Sequence, residues 1–176
     1  MRRWPIAGAS PIGYARDVMA RTIIGKPDGA GLRIALVVSR FNESITSRLL
    51  SGARQTLSRH FVSEEDILEV QVPGVWELPL AVKALIDHRR CDAIVCLGCV
   101  IRGETSHHLY VAGEGIRGIA SASLAAGIPV SLGVLTTENI EQAEARSGPD
   151  QDNKGAEAAQ AAIEMVRLLR SLDGCS

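Results

Sequence analysis

Aromatic side chains are scarce: two each of Phe, Trp and Tyr, 3% of 176 residues. A protein that grips single-stranded nucleic acid needs a row of stacking platforms, and this chain has too few to build one. An excess of either charge is also missing. Nineteen basic residues against 20 acidic ones leave a net charge of −1, so no footprint for a polyanion or an anionic membrane is present. No apolar run is long enough to cross a bilayer. The start, Met1-Arg2-Arg3-Trp4-Pro5, is basic, but no apolar stretch of signal-peptide length follows it. The expectation is a cytoplasmic protein with neither nucleic-acid nor membrane partners. A Walker phosphate loop and a G-x-S-x-G elbow are absent too, which takes most of the weight from nucleotide-dependent and serine-hydrolase readings.

Cysteine is sparse, at four residues: Cys91, Cys96, Cys99 and Cys175. Cys96 and Cys99 are spaced C-x-x-C, which invites a redox or zinc reading. They continue the apolar run Ala93-Ile94-Val95, however, and so fall inside a buried strand. A redox pair sits at a helix start, and zinc needs two more ligands nearby. The plainer reading is of small buried hydrophobes, reduced in the cytoplasm, with no metal and no cofactor.

What is present is a core. At 46% hydrophobic residues, a chain of this length fills one domain. Residues 1–30 are Gly- and Pro-rich without periodicity, and Gly25-Lys26-Pro27-Asp28-Gly29 reads as a linker. They form an arm, partly disordered or docked on a neighbour. A domain over 31–172 and a tail over 173–176 follow. Ile34 to Val38 is a continuous apolar run, as in a parallel strand covered on both faces. Asn42 is placed to cap a helix running to about His60, with Ile45, Leu49, Ala53 and Leu57 on one face. Strands over Ile67–Val72, Ala93–Val100 and Pro129–Leu135 alternate with helices. These run from about Trp76 to His88, from His107 to Ala126, from near Glu138 (capped by Thr136 or Thr137) and from near Asn153. Such alternation marks an α/β fold in three αβα layers: one domain around a doubly wound, four-stranded parallel sheet of flavodoxin-like order.

In open parallel sheets ligands bind beyond the carboxyl ends of the strands. The loops there are Ser39-Arg40-Phe41-Asn42, Pro73-Gly74-Val75-Trp76-Glu77, Gly103-Glu104-Thr105-Ser106-His107 and Thr136-Thr137-Glu138. Between them they gather two of the few aromatics, three carboxylates with Glu77 among them, and His107 beside His108. Taken singly, each has an ordinary explanation. A Gly-containing loop entering a helix offers N–H groups to an anion, but it is also how such connections are commonly built. Glu77 could serve only as a helix-dipole partner.

Together the loops resemble the lumazine synthase family. The resemblance runs from about Arg33 to Leu169. It is carried by Arg40-Phe41-Asn42, by Val72-Pro73-Gly74-Val75-Trp76-Glu77-Leu78-Pro79 and by Gly98-Cys99-Val100-Ile101-Arg102-Gly103-Glu104-Thr105-Ser106-His107. Gly133-Val134-Leu135-Thr136-Thr137-Glu138, Gln142 and Asn153-Lys154-Gly155-Ala156-Glu157-Ala158-Ala159 continue it. The resemblance implies condensation of 5-amino-6-(D-ribitylamino)uracil with 3,4-dihydroxy-2-butanone 4-phosphate to 6,7-dimethyl-8-ribityllumazine, phosphate and water, the penultimate step of riboflavin biosynthesis. It implies no metal and no cofactor. Phe41 would stack on the pyrimidine. Asn42, Val75, Trp76, Glu77, Val100, Ile101 and Leu132 would complete the pyrimidine and ribityl site. Glu104 and Thr105 N–H groups would hold the phosphate, together with Arg146 from an adjacent subunit. Lys154, also from the neighbour, is a further candidate, and His107 would move protons. The implied assembly is a homopentamer, with a lean toward an icosahedral shell of pentamers and riboflavin synthase as a possible partner. In the family the N-terminal segment commonly adds a strand to the next subunit's sheet.

The chain departs from the family's pattern at several positions. His108 and Leu109 stand where an aromatic and an acid are usual, Leu132 where an aromatic faces the pyrimidine, and Glu144-Ala145 where an apolar residue then an acid precede the arginine. Asp152 replaces a usual Gly in a loop of the length found in shell-forming members. These departures motivate one alternative, a low-activity paralogue that serves as a lumazine- or flavin-binding scaffold. A flavodoxin-like electron carrier is a weaker one, since it leaves Arg146 and Lys154 without a purpose.

Overall fold

Hydrophobic residues in β1 (Ile34–Ser39) alternate between two cores, and that alternation organises the molecule. Ile34, Leu36 and Val38 pack with α1 (Glu43–Arg59) and α5 (Lys154–Asp173), while Ala35 and Val37 pack on the opposite face with α2 (Leu78–Asp87) and α3 (His107–Ala126). A period of two along the strand dictates this, and both faces being covered explains the unbroken apolar run. The computed structural model describes residues 22–88, 90–149 and 152–173. Cys175 and most of the arm lie outside them.

With β2 (Ile67–Val72), β3 (Ala93–Ile101) and β4 (Val130–Thr137), β1 forms one parallel sheet in the order β2-β1-β3-β4. The three-layer αβα, flavodoxin-like expectation therefore holds. Strand order reverses between β1 and β3, so the crevice at their carboxyl ends is where such a sheet accepts a ligand.

Several local expectations need correction. Asn42 precedes α1 but does not cap it with its side chain. Its backbone is left-handed (φ 58°, ψ 49°), and its amide instead donates to the Cys99 carbonyl at 3.0 Å, bolting the β1–α1 loop to β3. The helix expected from Trp76 begins as a 3-10 turn, Val75–Glu77, before α2. Neither Thr136 nor Thr137 caps the next helix, because both stay in β4, paired with Val100 and Ile101. α4 (Ile140–Ala145) is capped by Asn139, whose side chain accepts from Gln142 N–H at 2.9 Å. The described end of the arm, residues 22–30, docks on its own chain. Arg167 donates to the carbonyls of Asp28 and Ala30 at 2.6 and 2.8 Å, and Gly25 lies so close to α5 that a Cβ there would meet the Glu164 carbonyl at 1.9 Å.

Gly113-Glu114-Gly115-Ile116-Arg117-Gly118 has the spacing of the dinucleotide fingerprint, G-x-G-x-x-G. That motif works only at a strand-to-helix turn, and here it lies inside α3. Two of its three glycines serve packing: a Cβ at Gly115 would meet Val75 at 3.0 Å, and one at Gly118 would meet Pro79 at 2.8 Å. Their absence lets α3 lie close on the turn that carries Trp76.

Candidate active site

At the β1/β3 switch point lies a hollow of about 380 Å³, lined by Phe41, Gly74–Trp76, Cys99–Ile101, Gly103, Thr105, His107, His108 and Val111. Each group arrives from a strand end. Phe41 follows β1 and is 69% exposed, presenting a flat apolar face to the opening. Val75 is buried and keeps the 3-10 turn in place, against Gly98 and Gly115. Trp76 beside it is exposed. Glu77 stands at the margin: its Oε2 lies 3.1 Å from where a Cβ of Gly74 would be.

The two histidines are in different situations. His108 Nδ1 lies 3.0 Å from the Thr105 carbonyl. A carbonyl only accepts, so Nδ1 carries the proton and the ring pins the turn Gly103–Ser106. His107 lines the hollow, and its backbone N–H donates to Thr105 Oγ1 at 3.4 Å. At the root of the same loop, Arg102 donates to Glu138 at 2.8 Å, and its N–H to the Thr137 carbonyl at 2.8 Å. That clamp tied the loop to the next strand's end and escaped sequence reasoning; the adjacent Arg and Glu positions in the two loops were its only signal.

The thiols take no part. Cys96 belongs to the α2/α3 core and Cys99 to the α1/α5 core. Three residues apart on a strand, they face opposite sides of the sheet and cannot pair. Burial pushes Cys96 up to about 12 and Cys99 up to about 11, so neither is a nucleophile near neutral pH.

The remaining candidates are elsewhere. Leu132, 45% exposed on the edge strand β4, lines a second hollow with Ser131, Lys154 and Glu157. This hollow shares no lining residue with the first. Arg146 closes α4, and its carbonyl accepts from Lys154 N–H at 3.0 Å. Its guanidinium donates to the Gln142 carbonyl at 3.1 Å. Glu144 pairs with Arg48 at 3.9 Å, and among the described residues no carboxylate pairs with Arg146. Lys154 Nζ donates to Glu157 at 2.5 Å. One chain thus carries an aromatic cluster with imidazoles and, apart from it, a cationic cluster of two: Lys154 on the second hollow, and Arg146 joined to it by a backbone bond.

Residues 31–170 match the family model described as 6,7-dimethyl-8-ribityllumazine synthase. The chain belongs to the lumazine synthase family. A curated relative from Halorhodospira halophila, named 6,7-dimethyl-8-ribityllumazine synthase, is 54% identical over 141 residues, covering 80% of this chain and 90% of the relative. As a member of this family, the chain is a transferase of riboflavin biosynthesis, condensing the ribitylaminouracil with the dihydroxybutanone phosphate. No described helix is long and apolar enough to cross a membrane.

Proposed function

We propose that the reaction takes place in the Phe41–His107 hollow, completed by the cationic cluster of a second copy of the chain. The observation that carries this is a separation: the groups suited to the pyrimidine and to proton transfer line one hollow, while Lys154 lines another that shares no residue with it and Arg146 lines neither.

In this reading Phe41 stacks on the pyrimidine, a flat ring on a flat ring. Asn42 acts by bolting that loop to β3. The backbone at Val100 and Ile101 meets the pyrimidine edge, and the backbone at Val75 and Trp76 with the Glu77 carboxylate meets the ribityl hydroxyls. The N–H groups of Glu104 and Thr105, at the head of α3, take the phosphate with the help of the helix dipole. Arg146 and Lys154 of the neighbour add charge-assisted bonds to it, and Leu132 supplies an apolar wall. His107 takes and returns protons as the amine condenses with the ketone, phosphate leaves and the ring closes. Holding two substrates against each other supplies a large share of the rate. No step in this scheme draws on a metal or an organic cofactor.

The same reading makes the active form a homopentamer, in the cytoplasm, with an icosahedral shell and a riboflavin synthase partner as its extensions. In the same reading residues 1–30 are an arm, 31–172 the domain and 173–176 a tail, of which 1–21 and 174–176 lie outside the described residues. A steady-state assay with both substrates tests the function. Lumazine fluorescence should rise well above the uncatalysed rate. Binding of lumazine without turnover would instead make the protein a scaffold. Light scattering tests the assembly, separating a monomer, a pentamer and a shell by mass.

A further inference from the structure

The cationic cluster is held by a side chain to which nothing above gives a role. Asn153, only 3% exposed, joins five backbone groups through one amide. Its two Nδ2 hydrogens are shared among the carbonyls of Arg48, Ser147 and Gly148 at 3.1, 3.1 and 2.9 Å. Its Oδ1 accepts from the N–H groups of Gly155 and Ala156 at 2.9 and 3.1 Å. Two donors facing Oδ1 and three acceptors facing Nδ2 leave the amide one orientation. The surroundings are shaped for it. A Cβ at Gly52 of α1 would lie 2.4 Å from Oδ1, and one at Gly155 would lie 2.1 Å from the Leu49 carbonyl.

Capping α5 needs only the oxygen, and Ser or Asp would do that. The nitrogen does something else. It fastens the carbonyls of Ser147 and Gly148, which directly follow Arg146, to the residue directly before Lys154. A backbone bond from Lys154 N–H to the Arg146 carbonyl closes the same loop. We propose that Asn153 is a positioning residue for the phosphate: it fixes Arg146 and Lys154 relative to each other and to α1, so that both charges reach one anion. This rests on the reading above that these two cations bind the phosphate.

The test compares Asn153→Ser and Asn153→Asp with Arg146→Gln and Lys154→Gln in the full chain. Both Asn153 variants keep the helix cap and lose the donor arm. Each should raise KM for the phosphate-bearing substrate about tenfold, the scale of a hydrogen bond or two, and weaken inhibition by inorganic phosphate by the same factor. KM for the pyrimidine should stay unchanged, as should kcat at saturation. In an Arg146→Gln, Lys154→Gln double background, Asn153→Ser should add nothing, because its effect runs through those two cations. If Arg146→Gln raises KM while the folded Asn153 variants do not, or if they raise both KM values alike, the inference is overturned and the site reading stands. If Arg146→Gln and Lys154→Gln both leave KM and phosphate inhibition unchanged, the site reading itself fails, and the inference with it. If neither Asn153 variant folds, the amide belongs to folding alone and the proposal is overturned.

Discussion

At the scale of single residues, the neighbouring imidazoles are told apart by what each ring touches. Both line the hollow, but His108 spends its Nδ1 proton on the Thr105 carbonyl, whereas the His107 ring makes no hydrogen bond among the described residues. Removing a proton-transfer group costs roughly 100-fold, while removing a loop pin costs about one hydrogen bond, on the order of 1 kcal/mol. His107→Ala should therefore slow single-turnover lumazine formation well below His108→Ala; the reverse order would exchange their roles. The thiols give a second prediction. Cys91, Cys96 and Cys99 are all buried, and their pKa values rise from 9.0 to about 11, 12 and 11, with desolvation as the leading cause. A thiol whose folded pKa exceeds its unfolded value adds stability that is intact below the unfolded value and lost as pH climbs toward the folded one. The denaturant midpoint should accordingly fall from about pH 9 upward. Peptide mapping with a thiol reagent near neutral pH should find these three labelled only after unfolding.

At the scale of elements, the fold rests on close approaches that only glycine permits. Gly155 brings α5 against the backbone of α1 at Leu49. Gly155→Ala should push the helices apart and lower stability by about 1–3 kcal/mol, read as a lower denaturation midpoint. Such contacts bear on what the sequence could show. β1, β3 and α3 were legible because burial on both faces, or a long helical span between glycines, leaves a local pattern. Asn42 and Thr137 were not, because each answers to a distant partner. Asn42 reaches across 57 residues to the Cys99 carbonyl, and Thr137 stays extended because it pairs with Ile101. Local capping preference loses to such tertiary bonds. The lining of the first hollow was legible for a different reason: in a parallel sheet the carboxyl ends of the strands are found as soon as the strands are. That Leu132 would line a separate hollow was not, since its place on β4 says nothing about which hollow its exposed side chain lines.

At the scale of the whole molecule, the proposed shared site makes activity a property of neighbours. If each site takes Phe41 and His107 from one copy and Arg146 and Lys154 from the next, two different defects reside in different halves. A ring of His107→Ala chains spoils every site, as does a ring of Arg146→Gln chains. In a mixed ring, a site is whole wherever an Arg146→Gln chain lends its intact His107 to a His107→Ala chain that lends its intact Arg146. With equal numbers and random order, each condition is met about half the time, so about a quarter of the sites are whole by the symmetry of a head-to-tail interface. The two variants, dissociated, mixed and reassembled, should then regain about a quarter of the unmodified rate, far above the mean of their separate residual rates. Mixing the assembled variants without dissociation should regain nothing. A site contained within one chain predicts no gain in either case, so the mixing measurement separates a shared site from a private one without needing the size of the assembly.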